Sequence, residues 1–315
     1  MMVWLALVLW AVGLFLFIAL GVLILEYVEM KLAGHIQHRV AFLHTGWHGI
    51  LQPVADMMKF LAKENITPRQ ADKWVYLAAP LVALIPPYLA FLVIPLGPGW
   101  VARNWSLAFL YLLAVPGISV IGILMAGWGS NNKYSLIGGL RTVAQLISYE
   151  IPRALVILSV IILAGSLSVN DVVKAQNIPY AILLPLGFLI FFIASLIEIN
   201  RIPFDVGEAE SELVAGFHTE YSGIRFGLFM LAEYAHLLLA VFLITLLFLS
   251  GWRGPFVPDI IWFFLKIAVL IFVMIWVRWT VPRFRPDQMM NFAWKILFPL
   301  ALLNLIWAGY LAVVM

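Results

Sequence analysis

"VWLALVLWAVGLFLFIALGVLIL", residues 3–25, is 23 consecutive apolar residues. At 1.5 Å per residue a helix of that length crosses the roughly 30 Å of hydrocarbon in a bilayer. A soluble helix keeps a polar face, and this stretch has none. It carries no basic leader and no small-residue cleavage site, and it is too long for the apolar part of a signal peptide, so it is predicted to remain as a first membrane helix.

Similar runs recur downstream. The hydropathy pattern predicts eight spans at roughly 3–28, 74–97, 105–128, 138–165, 180–199, 224–249, 259–280 and 290–313. With 315 residues, 64% hydrophobic and 11% charged, the chain reads as an all-α, polytopic integral membrane protein. Outer-membrane barrel strands alternate in polarity over about ten residues, and these runs do not. No linker, low-complexity tract or clear internal repeat interrupts the pattern, so residues 1–315 are expected to form a single membrane domain.

The net charge of +3 reflects cations that orient the spans, and no nucleic-acid partner is inferred. Lys31, Arg39, Lys59, Lys63, Arg69 and Lys73 lie in the first loop, Lys133 in the third, Arg201 in the fifth, and Arg283 and Arg285 in the seventh. The even loops hold only Arg103, Lys174 and Arg253. By the positive-inside rule the odd loops are cytoplasmic and both termini lie on the opposite side. The chain contains no cysteine, which excludes iron–sulfur ligation, thiol catalysis and disulfides within it. Any electrons must come from a partner.

Two odd loops are unusual. In the first, Leu51, Val54, Met58 and Leu61 recur at helical spacing against Asp56, Lys59 and Lys63, which predicts an amphipathic helix lying in the membrane interface. The fifth, "EINRIPFDVGEAESELVAGFHTEYSG" (198–223), holds six carboxylates and one arginine. Glu208 and Glu212 stand one helical turn apart, with Asp205, Glu210 and Glu220 nearby, so these acids are expected to share protons or recruit cations as a group. A solvated acidic face is the plain alternative, but "RIPF" and "ELVAGF" are too apolar for open solvent.

Acids at membrane depth are costly and mark ion or proton routes. Glu150 lies inside the fourth span, and Glu233 about nine residues into the sixth, roughly 14 Å deep. Pro152 removes a donor and frees the carbonyl of Ser148, a polar notch. Arg141, Arg153 or tyrosine hydroxyls could instead tie both acids into packing. His44 and His48 could face one way on a helix, yet no cysteine or aspartate completes a metal set, and no metal is expected. "GWGSNN" (127–132) lacks the third glycine of a dinucleotide motif and reads as a helix-ending turn. Lys266 can snorkel or serve a proton path, and Asp259 is expected to cap the seventh span.

The acidic loop, together with "MAGWGSNNKYSLIGGLRTVAQLISYE" (125–150), "GILQPVADMMKFLAKE" (49–64) and "PRFRPDQMMNFAWK" (282–295), resembles the H subunit of the proton-pumping NADH:quinone oxidoreductase, respiratory complex I. The resemblance implies a heel subunit that forms much of a quinone chamber and couples quinone reduction to proton translocation. Carried over by motif, Glu29, Lys31, Gln37, Arg39, Asp56 and Lys59 match polar positions around the chamber and its entrance, with Phe226 or Phe229 on its wall. Arg201, Asp205, Glu208, Glu210, Glu212 and Glu220 match the loop acids and their basic partner. Arg141, Glu150, Glu198 and Glu233 match an intramembrane route. The chain departs from the family pattern at Met30, at Val40, Ala41 and Phe42, and at Trp279.

The resemblance further implies ubiquinone or menaquinone as substrate, with no iron–sulfur cluster, flavin or haem in this chain. The implied partners are the hydrophilic quinone-site and iron–sulfur subunits, small membrane subunits, antiporter-like subunits and lipid. The implied location is a bacterial inner membrane with periplasmic termini, or an organellar inner membrane. Rival readings are the corresponding subunit of a membrane-bound hydrogenase or of a ferredoxin- or F420-linked complex, and a stand-alone cation/proton antiporter.

Overall fold

A computed structural model describes residues 2–255 and 257–314, with the side chains of residues 2–8, 210 and 211 left aside. Among these residues the regular elements are all helical. In chain order they are α1 (Met2–Ile36), α2 (Gln52–Ala62), α3 (Lys73–Ala90), α4 (Ala108–Gly117), α5 (Ser119–Gly129), α6 (Lys133–Ala164) and α7 (Val169–Ala175). They continue with α8 (Tyr180–Leu183), α9 (Pro185–Glu198), α10 (Glu210–Leu213), α11 (Gly223–Phe248), α12 (Asp259–Thr280), α13 (Pro286–Phe292) and α14 (Phe298–Val314). A π-helical turn, Ala293–Leu297, joins the last two.

Among the described residues seven stretches are long and apolar enough to cross a membrane: α1, α3, α4 with α5, α6, α11, α12, and α13 through α14. The fifth predicted span is shorter and broken. Pro185 disfavours helical backbone at the residue before it, and Leu184 takes φ −124°, ψ 61°, so α8 and α9 are separate pieces. Together they still run from one face of the bundle to the other.

Hydrogen bonds between connections define those faces. On one, Asp72 N–H donates to the Gly129 carbonyl, Tyr76 hydroxyl to the Glu220 carbonyl at 2.7 Å, and Phe284 N–H to the Pro203 carbonyl. On the other, Phe109 N–H donates to the Leu167 carbonyl, and Gln176 bonds both the Leu246 carbonyl and Ser250 N–H. The odd and even loops are thereby sorted onto opposite ends.

Helix α11 is enclosed almost all round, from Tyr234 to Phe248, while the other spans show an apolar outer face of residues such as Leu16, Leu20, Ile121, Val269 and Ile306. That is the distribution expected of a bundle solvated by lipid. Asn132 caps α6 by accepting from Tyr134 N–H, and Gly165 at φ 64° ends that helix; in "GWGSNN" residues 127–129 close α5 and 130–132 turn into α6. Asp259 does not cap α12. Pro258 holds that position and Asp259 is the first helical residue, where its charge favours the helix dipole without a capping bond.

Candidate functional site

The fifth loop is folded inward over the ends of α6 and α11. Its acids are not one group. The backbone at Glu208 is not helical, and α10 begins only at Glu210, so Glu208 and Glu212 do not share a helical turn. Glu212 points outward and receives Arg141 Nη1 at 2.7 Å, with both side chains substantially exposed. Arg141 therefore belongs to the rim of the loop rather than to the interior. Glu220 accepts from Asn132 Nδ2 at 2.6 Å. The side chain of Glu210 lies outside the described residues.

Glu208 turns inward. Burial, then the neighbouring Glu233 and Asp205 carboxylates, push its pKa well above the usual carboxylate range. Its Oε1 lies 3.9 Å from Nδ1 of His218, whose pKa burial lowers to about 4, and neither atom has a hydrogen-bond partner. Arg283 Nη2 reaches Asp205 at 2.7 Å from the α12–α13 connection.

Beneath this loop lies a buried line of opposite charges. Arg201 donates to Glu29 of α1 at 2.5 Å, lies 3.8 Å from Glu233 of α11, and stacks its guanidinium 3.9 Å above the Tyr234 ring. Glu29 also receives Arg278 of α12. Glu29, placed by its motif near the chamber entrance, is thus held 2% exposed between two arginines. Farther along, Arg153 of α6 pairs with Glu198 of α9, whose second oxygen lies 3.7 Å from His236 Nδ1.

Between these groups is a cavity of about 60 Å³, lined among others by Glu150, Arg153, Glu198, Asn200, Glu233 and His236. At roughly 10–15 Å³ per water centre, it has room for about four waters. Arg153 Nε, Asn200 Oδ1, Glu233 Oε1 and His236 Nδ1 are buried without a hydrogen-bond partner among the described residues, and all four residues line it. Pro152 lies within an unbroken α6. Near it, Ser148 Oγ donates to the Ala144 carbonyl and accepts from Trp294 Nε1 at 3.3 Å, across to the π-helical turn.

The first loop forms a second, open cavity of about 390 Å³, lined by Met30, Arg39, Val40–Thr45 and Gln52. Lys31 Nζ fixes its floor by donating to the Phe42 carbonyl at 2.5 Å, and Arg39 Nε donates to Gln37 Oε1 at 2.6 Å. Gln52 and Lys59 both reach Asp56 Oδ1. Residues 37–51 contain only a 3₁₀ turn and His48 sits at φ 52°, so His44 and His48 do not share a helix face. The predicted interfacial helix is present as α2, with Val54, Met57, Met58 and Leu61 exposed. Phe226 packs between Phe60 and His218, whereas Phe229 is buried against Phe217 and Tyr221 and lines the interior cavity.

Arg278 and His236 are site residues that the motifs do not single out. Each was detectable as an ionisable residue within an apolar span, and His236 stands one turn from Glu233.

A bundle of apolar helices enclosing paired acids and arginines is a polytopic membrane protein with a charged interior. Its relatives make the assignment specific. The family model described as NADH dehydrogenase matches residues 9–309. The NADH-quinone oxidoreductase H subunit of Dehalococcoides mccartyi strain CBDB1 is 51% identical over 303 residues, covering 96% of this chain and 86% of the relative. An NADH-quinone oxidoreductase H subunit of Rhizobium etli is 47% identical over 91% of this chain and 88% of the relative. Another, from Geobacter sulfurreducens, is 46% identical over 94% and 91%. The chain belongs to the H-subunit family of NADH-quinone oxidoreductases.

Proposed function

We propose that this chain, as a single membrane domain, forms much of the quinone chamber of an NADH-quinone oxidoreductase and couples quinone reduction to proton movement. The carrying observation is the interior run of charges from Glu29 through Arg201 to Glu233, which faces the Arg153–Glu198 pair and Glu150 across a shared cavity. Such groups are expensive inside a membrane, and where they occur they mark ion or proton pathways.

In this reading the quinone, ubiquinone or menaquinone, is the substrate and takes its electrons from a hydrophilic iron–sulfur partner. Arg39 and Gln52 line the first-loop cavity, Gln37 accepts from Arg39, Lys31 donates to the Phe42 carbonyl of its wall, and Asp56 with Lys59 stands behind Gln52; Phe226 is taken as part of the chamber wall. Charge developed on the reduced quinone favours protonation of nearby carboxyls, and Glu208, already inclined to hold a proton, passes the change to Glu233. Arg201 can follow by shifting its weight between Glu29 and Glu233. Waters in the interior cavity would bridge Glu233 to Glu150 and toward antiporter-like subunits. Such coupling requires that the two redox states of the quinone interact differently with the loop. The odd loops face the cytoplasm of a bacterial cell and the termini the periplasm.

The test is Glu233→Gln in the assembled enzyme, which keeps size and removes the titratable group. Proton translocation per quinone reduced is expected to fall at least tenfold while the complex still assembles. Wild-type translocation and quinone turnover in that variant would overturn the role.

A further inference from the structure

Lys266 of α12 lies far from the acidic loop, at the other end of α11. Its ammonium donates to the carbonyls of Leu249 at 2.5 Å, Gly251 at 2.9 Å and Arg253 at 2.8 Å. An ammonium has three donors, and all three are used. The three acceptors are consecutive odd residues of the turn that ends α11, where Ser250 and Gly251 both take left-handed backbone, at φ 58° and 53°. That geometry turns the carbonyls toward one point.

The surrounding turn is built rather than incidental. Gln176 takes the Leu246 carbonyl and Ser250 N–H, Arg253 donates to the Gln176 carbonyl, and the Trp262 ring lies 5.8 Å from Lys266 Nζ. Carbonyl oxygens converging on a compact monovalent charge are how backbone replaces the hydration shell of a small cation. The negative end of the α11 dipole adds to the attraction.

We propose that residues 249–253 form a monovalent-cation cage whose resident cation is the tethered ammonium of Lys266. Lys266 is then a fixed charge that locks the end of α11 and not a carrier of protons. A carrier would have to give up one of its three hydrogen bonds at each deprotonation. The ligand class for the emptied cage is a small cation such as ammonium, methylammonium or potassium.

The experiment uses Lys266→Met, which keeps the apolar stem, in the assembled complex in native membranes. In choline chloride, whose cation is too bulky, the rate of proteolysis within 249–258 is expected to rise about tenfold over wild type, as the local opening equilibrium loses charge-assisted bonds. In ammonium or methylammonium chloride at equal ionic strength the rate should return to within about twofold of wild type. Lys266→Ala, with more room, should be rescued better by methylammonium. Unchanged proteolysis in choline, or loss that none of the small cations reverses in either variant, overturns the cage. Should both variants fail to assemble in choline, growth of the cells in ammonium must restore assembly; failure to do so is equally fatal.

Discussion

At the residue scale, burial decides which ion pairs matter. The pair Lys59–Asp56 on α2 leaves the lysine side chain 70% exposed, so Lys59→Ala should change stability by no more than about 1 kcal/mol. Glu29 is the opposite case. Glu29→Gln strands the buried Arg201, to which Glu233 stands 3.8 Å away, and removes the partner of the half-buried Arg278. A broken buried pair costs roughly 3–5 kcal/mol. The expected outcome is a clear drop in the heat-dissociation midpoint of the complex, with Lys59→Ala beside it as the unaffected control.

Two facing residues of the fifth loop carry opposite pH dependences. His218 is lowered to about 4, so between pH 6.5 and 4 the unfolded chain binds a proton that the folded one refuses. Stability from this group is present above 6.5 and is lost as pH falls through that window, by at most on the order of 3 kcal/mol. Glu208 is raised, so the folded chain keeps a proton the unfolded one has released, and its contribution is lost as pH rises above the ordinary carboxylate value. His218→Gln should flatten the acid side of the stability profile and Glu208→Gln the alkaline side, read as dissociation midpoints from pH 4.5 to 8.

At the element scale, the acidic loop rests on a glycine of α6. A Cβ added at Gly138 would stand 2.7 Å from Gly216 Cα and 2.9 Å from the Gly207 carbonyl oxygen, both backbone atoms that cannot rotate aside. Gly138→Ala should lift the loop at an overpacking cost of roughly 1–3 kcal/mol. The check is faster proteolysis between 205 and 220, with cleavage elsewhere unchanged. The helices themselves were legible from sequence, because a membrane leaves the apolar run as a strong signal and few alternatives to a helix. The amphipathic α2 was equally plain. The partition of the acids was not, since helical spacing from Glu208 to Glu212 means nothing until the backbone is known to be helical there. The partners of Glu29 were beyond reach for another reason: Arg201 and Arg278 are 172 and 249 positions away, and only tertiary packing brings them together.

At the scale of the whole molecule, the two ends of the bundle differ in charge. Lys59, Lys63, Arg69 and Lys133 belong to the end bearing the acidic loop, while Arg103, Lys174 and Arg253 are spread over the connections at the other end. The positive-inside rule counts lysine and arginine and gives little weight to acids, so the six carboxylates of the fifth loop do not reverse the expected orientation. The chain has no cysteine, which makes a single introduced thiol an unambiguous reporter. Lys63→Cys and Lys174→Cys are both predicted to sit in exposed connections, at opposite ends of the bundle. In sealed right-side-out vesicles, a membrane-impermeant maleimide should label the cysteine at 174 and leave that at 63 unmodified until the vesicles are opened. Inside-out vesicles should give the reverse. Labelling of position 63 first in right-side-out vesicles would place the acidic loop outside the cell, away from any cytoplasmic electron donor, and the coupling role of Glu208 and Glu233 would have to be abandoned with it.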